Sequence, residues 1–200
     1  FSNGVLTTIS SSADVNASIV EGYLATGDLT IEAKNITTNA SINYTTGTER
    51  TLTVGATDRL LVYEDITSTA APLNIILASE IDRSSGFTGK GEGVGVFSAI
   101  TTNGGDFWIG GGELTGSWNG HTVGVGAAMG GDANGVGVEI SLSTISTNGG
   151  DVRILGTSNG SPGINAYQGN STIDAGSGAI ELISDRMGFD FIGSQGDIEI

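Results

Sequence analysis

Few groups in this chain could do chemistry. Histidine occurs once, at His121, and cysteine is absent. Zinc and facial-triad sites draw on several histidines or on thiolates, so transition-metal chemistry is not expected. A serine triad would have to use His121, which lies between Gly120 and Thr122 and reads as a loop-surface histidine. Carboxylates are more plentiful, and glycoside hydrolysis needs a pair of them at a defined separation. Asp106 with Asp151 is one candidate set; Asp185, Arg186 and Asp190 form another. Asp106 and Asp151 hold equivalent corners of a repeat, so an aspartate that hydrogen-bonds its own turn explains them without catalysis. No residue is assigned a catalytic role.

Binding chemistry is better represented. Asp132 and Asn134 could offer oxygens for weak calcium binding, although Gly130-Gly-Asp-Ala-Asn-Gly135 fits neither a calcium nonapeptide nor an EF-hand loop, and a solvated turn is expected. No cofactor is called for otherwise. The two tryptophans, Trp108 and Trp118, are the candidate ligand-binding residues, because exposed indoles stack on sugars and anchor protein contacts. If Phe107 and Ile109 face a core, strand alternation turns Trp108 outward, either into solvent or under the loop that follows. Asn-x-Ser/Thr sequons begin at Asn16, Asn35, Asn39, Asn43, Asn159 and Asn170, a pattern that a Ser/Thr/Asn-rich sequence also generates by chance.

The elements that must position these residues are visible as a repeat. Ile100-Thr-Thr-Asn-Gly-Gly-Asp-Phe-Trp-Ile109 is matched by Ile145-Ser-Thr-Asn-Gly-Gly-Asp-Val-Arg-Ile154. Looser copies run from Ile66 to Leu73 and Ile75, and from Ile173 to Ile180 and Leu182; Ile192 to Ile198 and Ile200 is one residue shorter. Each copy reads as a strand, a Gly/Asn corner and a second strand with alternate side chains inward. Further short β segments are expected at Tyr23-Leu24, 29–31, 41–44, 50–54 and 59–63. The glycine-crowded stretch from Ser84 to Gly137 reads as loops, with 110–135 as an excursion that carries Trp118-Asn-Gly-His121; additional coils bent at glycine are the alternative. Such segments cannot bury a face alone, so stacking about 4.8 Å apart is required, giving roughly eight to ten coils. The chain is read as one unit, 1–200, cut from a longer protein.

Composition sets the class. Thirty-four glycines with two prolines, together with abundant Thr, Ser, Ile and Val, favour ordered β structure over helix or collagen. Seven Lys plus Arg against twenty-two Asp plus Glu give a formal charge of -15, which would repel a phosphate backbone and disfavour anionic lipid. No apolar run approaches the roughly 20 residues of a membrane-spanning helix.

These strings, together with Ser171-Thr-Ile-Asp-Ala-Gly-Ser-Gly-Ala-Ile, resemble the repeats of filamentous-haemagglutinin-type exoproteins or of a related giant bacterial repeat adhesin. The resemblance implies a right-handed parallel β-helix, secretion to the cell surface through an outer-membrane β-barrel partner, and attachment to host cells, bacteria or glycan surfaces. On that basis the expected function is a structural or display segment of a bacterial surface adhesin. A polysaccharide-degrading β-helix enzyme and an extracellular matrix or filament-forming protein are the alternatives.

Overall fold

The computed structural model describes residues 4–7, 16–82, 91–131, 135–168, 171–189, 191–193 and 198–199. The chain opens with β1 (Val5–Thr7) and one helix, α1 (Ala17–Leu24), then runs through circuits of short strands. The first circuit is β2 (Leu29–Ala33), β3 (Ile36–Thr38) and β4 (Ile42–Tyr44). The second is β5 (Arg50–Ala56), β6 (Leu60–Val62) and β7 (Ile66–Ser68), and the third β8 (Leu73–Ser79), β9 (Val94–Val96) and β10 (Ile100–Thr101). The fourth starts at β11 (Phe107–Gly111), detours through β12 (Gly116–Trp118), β13 (His121–Val123) and β14 (Ala128–Met129), and resumes with β15 (Val138–Ser141) and β16 (Thr144–Ser146). Then come β17 (Val152–Thr157), β18 (Ile164–Gln168) and β19 (Thr172–Asp174), followed by β20 (Ile180–Ser184), β21 (Met187–Phe189) and β22 (Phe191–Gly193). Finally β23 (Ile198–Glu199) returns to the first position.

Strands at the same place in successive circuits pair in parallel. Sheet A runs β1-β2-β5-β8-β11-β17-β20-β23, sheet B β3-β6-β9-β15-β18-β21, and sheet C β4-β7-β10-β16-β19-β22. The expectation of an all-β chain on parallel sheets therefore holds. The register follows side-chain alternation: Leu29, Leu52, Ile75, Phe107, Val152 and Ile180 are paired along sheet A and all face one core. Leu60, Val94, Val138 and Ile164 enter that same core from sheet B, and Ile42, Ile66, Ile100, Ile145 and Ile173 enter it from sheet C.

Corners are held by polar contacts that cross between circuits. Asp28 Oδ1 accepts from the Thr51 amide (2.8 Å), 23 residues on. Asn74 Oδ1 accepts from Asp106 N (2.8 Å), Asp106 Oδ1 from Asp151 N (2.8 Å) and Asp151 Oδ1 from Ala179 N (2.9 Å), across 32, 45 and 28 residues. A corner aspartate was expected to bond its own turn. These instead bond the next circuit, because parallel stacking places the following corner's amide directly above. At the opposite side of the corner, the buried hydroxyls of Ser68, Thr102 and Thr147 donate to the carbonyls of Ala71, Gly105 and Gly150.

Three expectations need correction. Tyr23-Leu24 is helical rather than β. Asn16 caps α1 by accepting from Ser18 N (3.0 Å), and Val20 and Leu24, four apart on one helical face, are buried in the core. The helix also closes an edge, since Glu21 Oε1 accepts from the Asn43 amide of β4 (2.8 Å). The copy beginning at Ile66 is offset by two residues: Ile75 and Leu77, not Leu73 and Ile75, pair with Phe107 and Ile109. Its corner, with Pro72, is longer than the Asn-Gly-Gly-Asp corner that follows. Finally, the 84–137 stretch is not all loop, because β9 to β14 lie within it. Asp132 and Asn134, the proposed weak calcium ligands, lie outside the described residues, as do Asn170 and Asp190.

Candidate functional site

Sheet A has a second face, pointing away from the core, and its composition changes along the stack. Thr30 pairs with Thr53, Thr53 with Ile76, Ile76 with Trp108 and Trp108 with Arg153. These residues alternate with the core-facing set, so all five project outward. The row is thus polar at the first two circuits and apolar at the next two. The detour after β11 explains the apolar part. It lies back on sheet A, and Ile76, Ala78, Trp108 and Val123 form a separate buried cluster with Ile81, Leu114, Trp118 and Leu155 packed against it.

The glycines of this region are what allow the detour to lie so close. Gly111 and Gly126 exchange amide–carbonyl hydrogen bonds of 2.8 Å in both directions. A Cβ on Gly124 would sit 2.4 Å from the Gly111 carbonyl oxygen, and one on Gly110 would meet the Trp108 ring at 2.5 Å. Backbone is therefore laid on backbone, with the indole filling the remaining space.

β12 and β13 form an antiparallel hairpin with register pairs Gly116–Val123, Ser117–Thr122 and Trp118–His121. Its two turn residues, Asn119 and Gly120, have φ of 46° and 83°, the sign that a type I′ hairpin turn requires at both places. Val123 is buried against the sheet, Trp118 is half-buried, and Ser117 and Thr122 face solvent. The tip is tied to the corner ladder: Asn119 Nδ2 donates to Asp106 Oδ2 and to Asp151 Oδ2, each at 2.9 Å. His121 Nε2 stands 3.5 Å from the same Asp106 oxygen.

Each residue singled out from the sequence can now be placed. Trp108 does turn away from Phe107 and Ile109, yet only 1% of it is exposed, so it is a core residue of the hairpin cluster rather than a free indole. Trp118 lies on the hairpin's sheet-facing side, opposite His121. His121 belongs to a strand, not to a loop surface, and is largely covered, with 15% of its side chain exposed. Asp106 and Asp151 do come together, but their oxygens are taken by ladder amides and by Asn119. Asp185 receives a long contact from Ser184 Oγ (3.4 Å), and Arg186 Nη1 donates to Gly160 O (2.8 Å). The expectation that the sequence holds no Gly-x-Ser-x-Gly elbow needs correction, since Gly156-Thr-Ser-Asn-Gly160 matches that pattern; Ser158 Oγ donates to Gly135 O (2.6 Å) and the segment joins two strands without a helix, so it is not built as an elbow. Among the sequon asparagines, Asn16 is a helix cap and Asn43 Oδ1 accepts from Thr67 Oγ1 (2.9 Å). Among the described residues there is no group of three or more His, Cys, Asp or Glu suited to a metal ion, and no helix long and apolar enough to cross a membrane.

Where the hairpin tip stops and the threonine part of the row begins, a step forms. It bounds a groove, open to solvent and lined by Asp28, Thr30, Thr51, Thr53, Gly120, His121 and Thr122. Sequence reasoning looked to the tryptophans and missed this groove. The available signals were the Asn119-Gly120 turn, which marks a hairpin, and the shared register of Thr30 and Thr53. Compared with known proteins, the chain matches no protein-family model, no curated protein and no solved structure.

Proposed function

We propose that the chain is a segment of a right-handed parallel β-helix serving as the display shaft of a secreted bacterial surface adhesin of the filamentous-haemagglutinin type. The observation that carries this reading is the cyclic order of the strands. The chain passes sheets A, B and C in turn, each strand pairs with its counterparts one circuit before and after, and all three sheets feed one core. Such a stack grows by adding circuits without changing its cross-section, which suits a stiff spacer. The hairpin bound to the side of sheet A supports a display role, because loops that leave one face of a stacked array commonly carry its contacts. On this reading the protein is exported through an outer-membrane β-barrel partner and works by geometry, with no catalytic residue; the engaged oxygens of Asp106 and Asp151 agree with that. A formal charge of -15 keeps it off nucleic acid and anionic lipid.

Beads coated with the purified chain, and with a variant in which residues 112–127 are replaced by a short Gly/Ser link, test the reading on host-cell and bacterial surfaces. The expected result is adhesion by the wild-type chain that the link variant loses while retaining its β circular dichroism. Failure of wild-type beads to adhere to any of these surfaces, or a compact rather than elongated scattering envelope, would remove the proposal.

A further inference from the structure

Sheet B, like sheet A, has an outer face, and where it passes into sheet C that face carries large side chains. Leu61, Gly95 and Glu139 are register partners there, alternating with the core-facing residues of β6, β9 and β15. Phe97 folds back over this row: a Cβ on Gly95 would lie 2.5 Å from Phe97 Cε2 and 2.9 Å from Leu61 Cδ2. Tyr63, one circuit earlier, stacks on Phe97 with ring centroids 5.0 Å apart and planes at 18°, yet stays 48% exposed. One circuit later, the passage from sheet B to sheet C is a residue longer. Val62 to Ile66 and Val96 to Ile100 each step four residues between core positions, whereas Ile140 to Ile145 steps five. The surplus is taken up at Leu142, which has φ of 54° and is 74% exposed.

Two residues at this corner oppose folding. A leucine in the left-handed region is strained, and an exposed one buries little in return; glycine would sit there without strain. Glu139 is half-buried beside Glu92, and its carboxylate has no hydrogen bond or ion pair among the described residues. Neither Glu92 nor Glu64, which follows Tyr63, has an ion pair there either, and Arg59, beyond the other end of β6, pairs with none of the three. Residues that break the rules of stability in this way collect at functional surfaces. The charge then selects the occupant. A chain of formal charge -15 repels a second copy of itself as well as phosphate and anionic lipid. A wholly apolar partner would cover Glu139 without giving it a cation. We propose that this corner, formed by Tyr63, Phe97 and Leu142 with Glu64, Glu92 and Glu139 around them, is a docking surface for a basic amphipathic segment of a partner protein. The segment's apolar side chains pack on the rings and Leu142, and its Lys or Arg side chains meet the carboxylates. The surface is separate from the hairpin on sheet A and does not rest on the shaft reading.

The probe is a short, fluorescein-labelled amphipathic peptide of Leu and Lys, titrated against the full chain with anisotropy and amide resonances as readouts. A Ser/Lys peptide of equal charge and a Leu/Glu peptide are the comparisons. The Leu/Lys peptide should bind saturably, shift the amides of Tyr63, Phe97 and Leu142, and bind about tenfold more tightly than the Ser/Lys peptide. Leu142→Gly should weaken binding by about tenfold and Glu139→Gln by about fivefold. Both variants relieve a cost to folding and should melt no lower than wild type, so a loss of binding reports the surface and not the fold. Glu32→Gln and Ile183→Ala, which make similar changes on sheet A, should bind like wild type, as should the variant with residues 112–127 replaced by a link. Equal binding of the Ser/Lys peptide, binding of the Leu/Glu peptide, shifts confined to another face, or wild-type affinity in Leu142→Gly and Glu139→Gln would each overturn the inference. Beads that adhere while no peptide binds this corner would leave the shaft reading standing and remove only the docking surface. Peptide binding by a chain whose beads do not adhere would do the reverse.

Discussion

At the residue scale, the Asn-Gly-Gly-Asp corner assigns each of its positions a separate task. Asn103 and Gly104, like Asn148 and Gly149, take positive φ and turn the chain; the aspartate then receives or offers the contacts between circuits. The second glycine permits stacking. A Cβ on Gly150 would lie 2.0 Å from the Gly105 carbonyl oxygen, and one on Gly178 would lie 2.1 Å from that of Gly150. Gly150→Ala should therefore destabilise the protein by about 2 kcal/mol or more, since backbone must move to admit the methyl group. Gly120→Ala, strained in φ but with open space around it, should cost about 1 kcal/mol. Urea-unfolding midpoints of the two variants would check the order. Trp108→Ala should cost about 3 to 5 kcal/mol by the same measurement, the range for emptying a large core site, and a near-neutral result would contradict its burial. The alternation around Phe107 was enough to say which way Trp108 points. What covers it depends on a chain reversal sixteen residues long in sequence space, and nothing in the Trp108 environment itself announces that.

Elements were legible where repetition was close and obscure where it was not. The near-identical strings at Ile100 and Ile145 gave the correct partners, because equal corner lengths preserve register. At Ile66 the same template slipped by two, since the Pro72 corner spends extra residues between the strands. Tyr23-Leu24 looked like strand because two apolar residues carry no period; only Asn16 with the Val20–Leu24 spacing reveals the helix. For the hairpin, the Asn119 amide joining two carboxylates is the anchoring contact. Asn119→Ala should loosen the tip and raise acrylamide quenching of tryptophan fluorescence with little change in far-ultraviolet circular dichroism; unchanged quenching would mean that the apolar cluster alone holds the hairpin. On β15, burial first and the neighbouring Glu92 second raise the carboxyl of Glu139 above its ordinary 4.5. The folded state therefore binds this proton more readily than the unfolded state, so the group opposes folding increasingly as pH rises from 4.5 through its raised value. Glu139→Gln should accordingly be more stable than wild type at neutral pH, with the difference vanishing below pH 4.5 in thermal melts taken across that range.

For the whole molecule, the parallel β class was readable because glycine, β-branched residues and a repeat of uneven spacing leave few other ways to bury 38% hydrophobic residues. The uneven spacing has its own explanation. Corner contacts spanning 23, 32, 45 and 28 residues show that circuits of different length share one ladder, the surplus leaving at the passage from sheet A to sheet B. The groove beside the hairpin tip was not readable, because its floor comes from the first two circuits and its wall from the fourth.

One consequence follows from the amide of Asn119. Asp106 and Asp151 belong to neighbouring circuits, so the group that spans their carboxylates stitches two storeys of the stack together from outside. Were the stack of circuits pulled lengthwise, that stitch would share the tensile load with the ladder at the level where the insertion after β11 interrupts it.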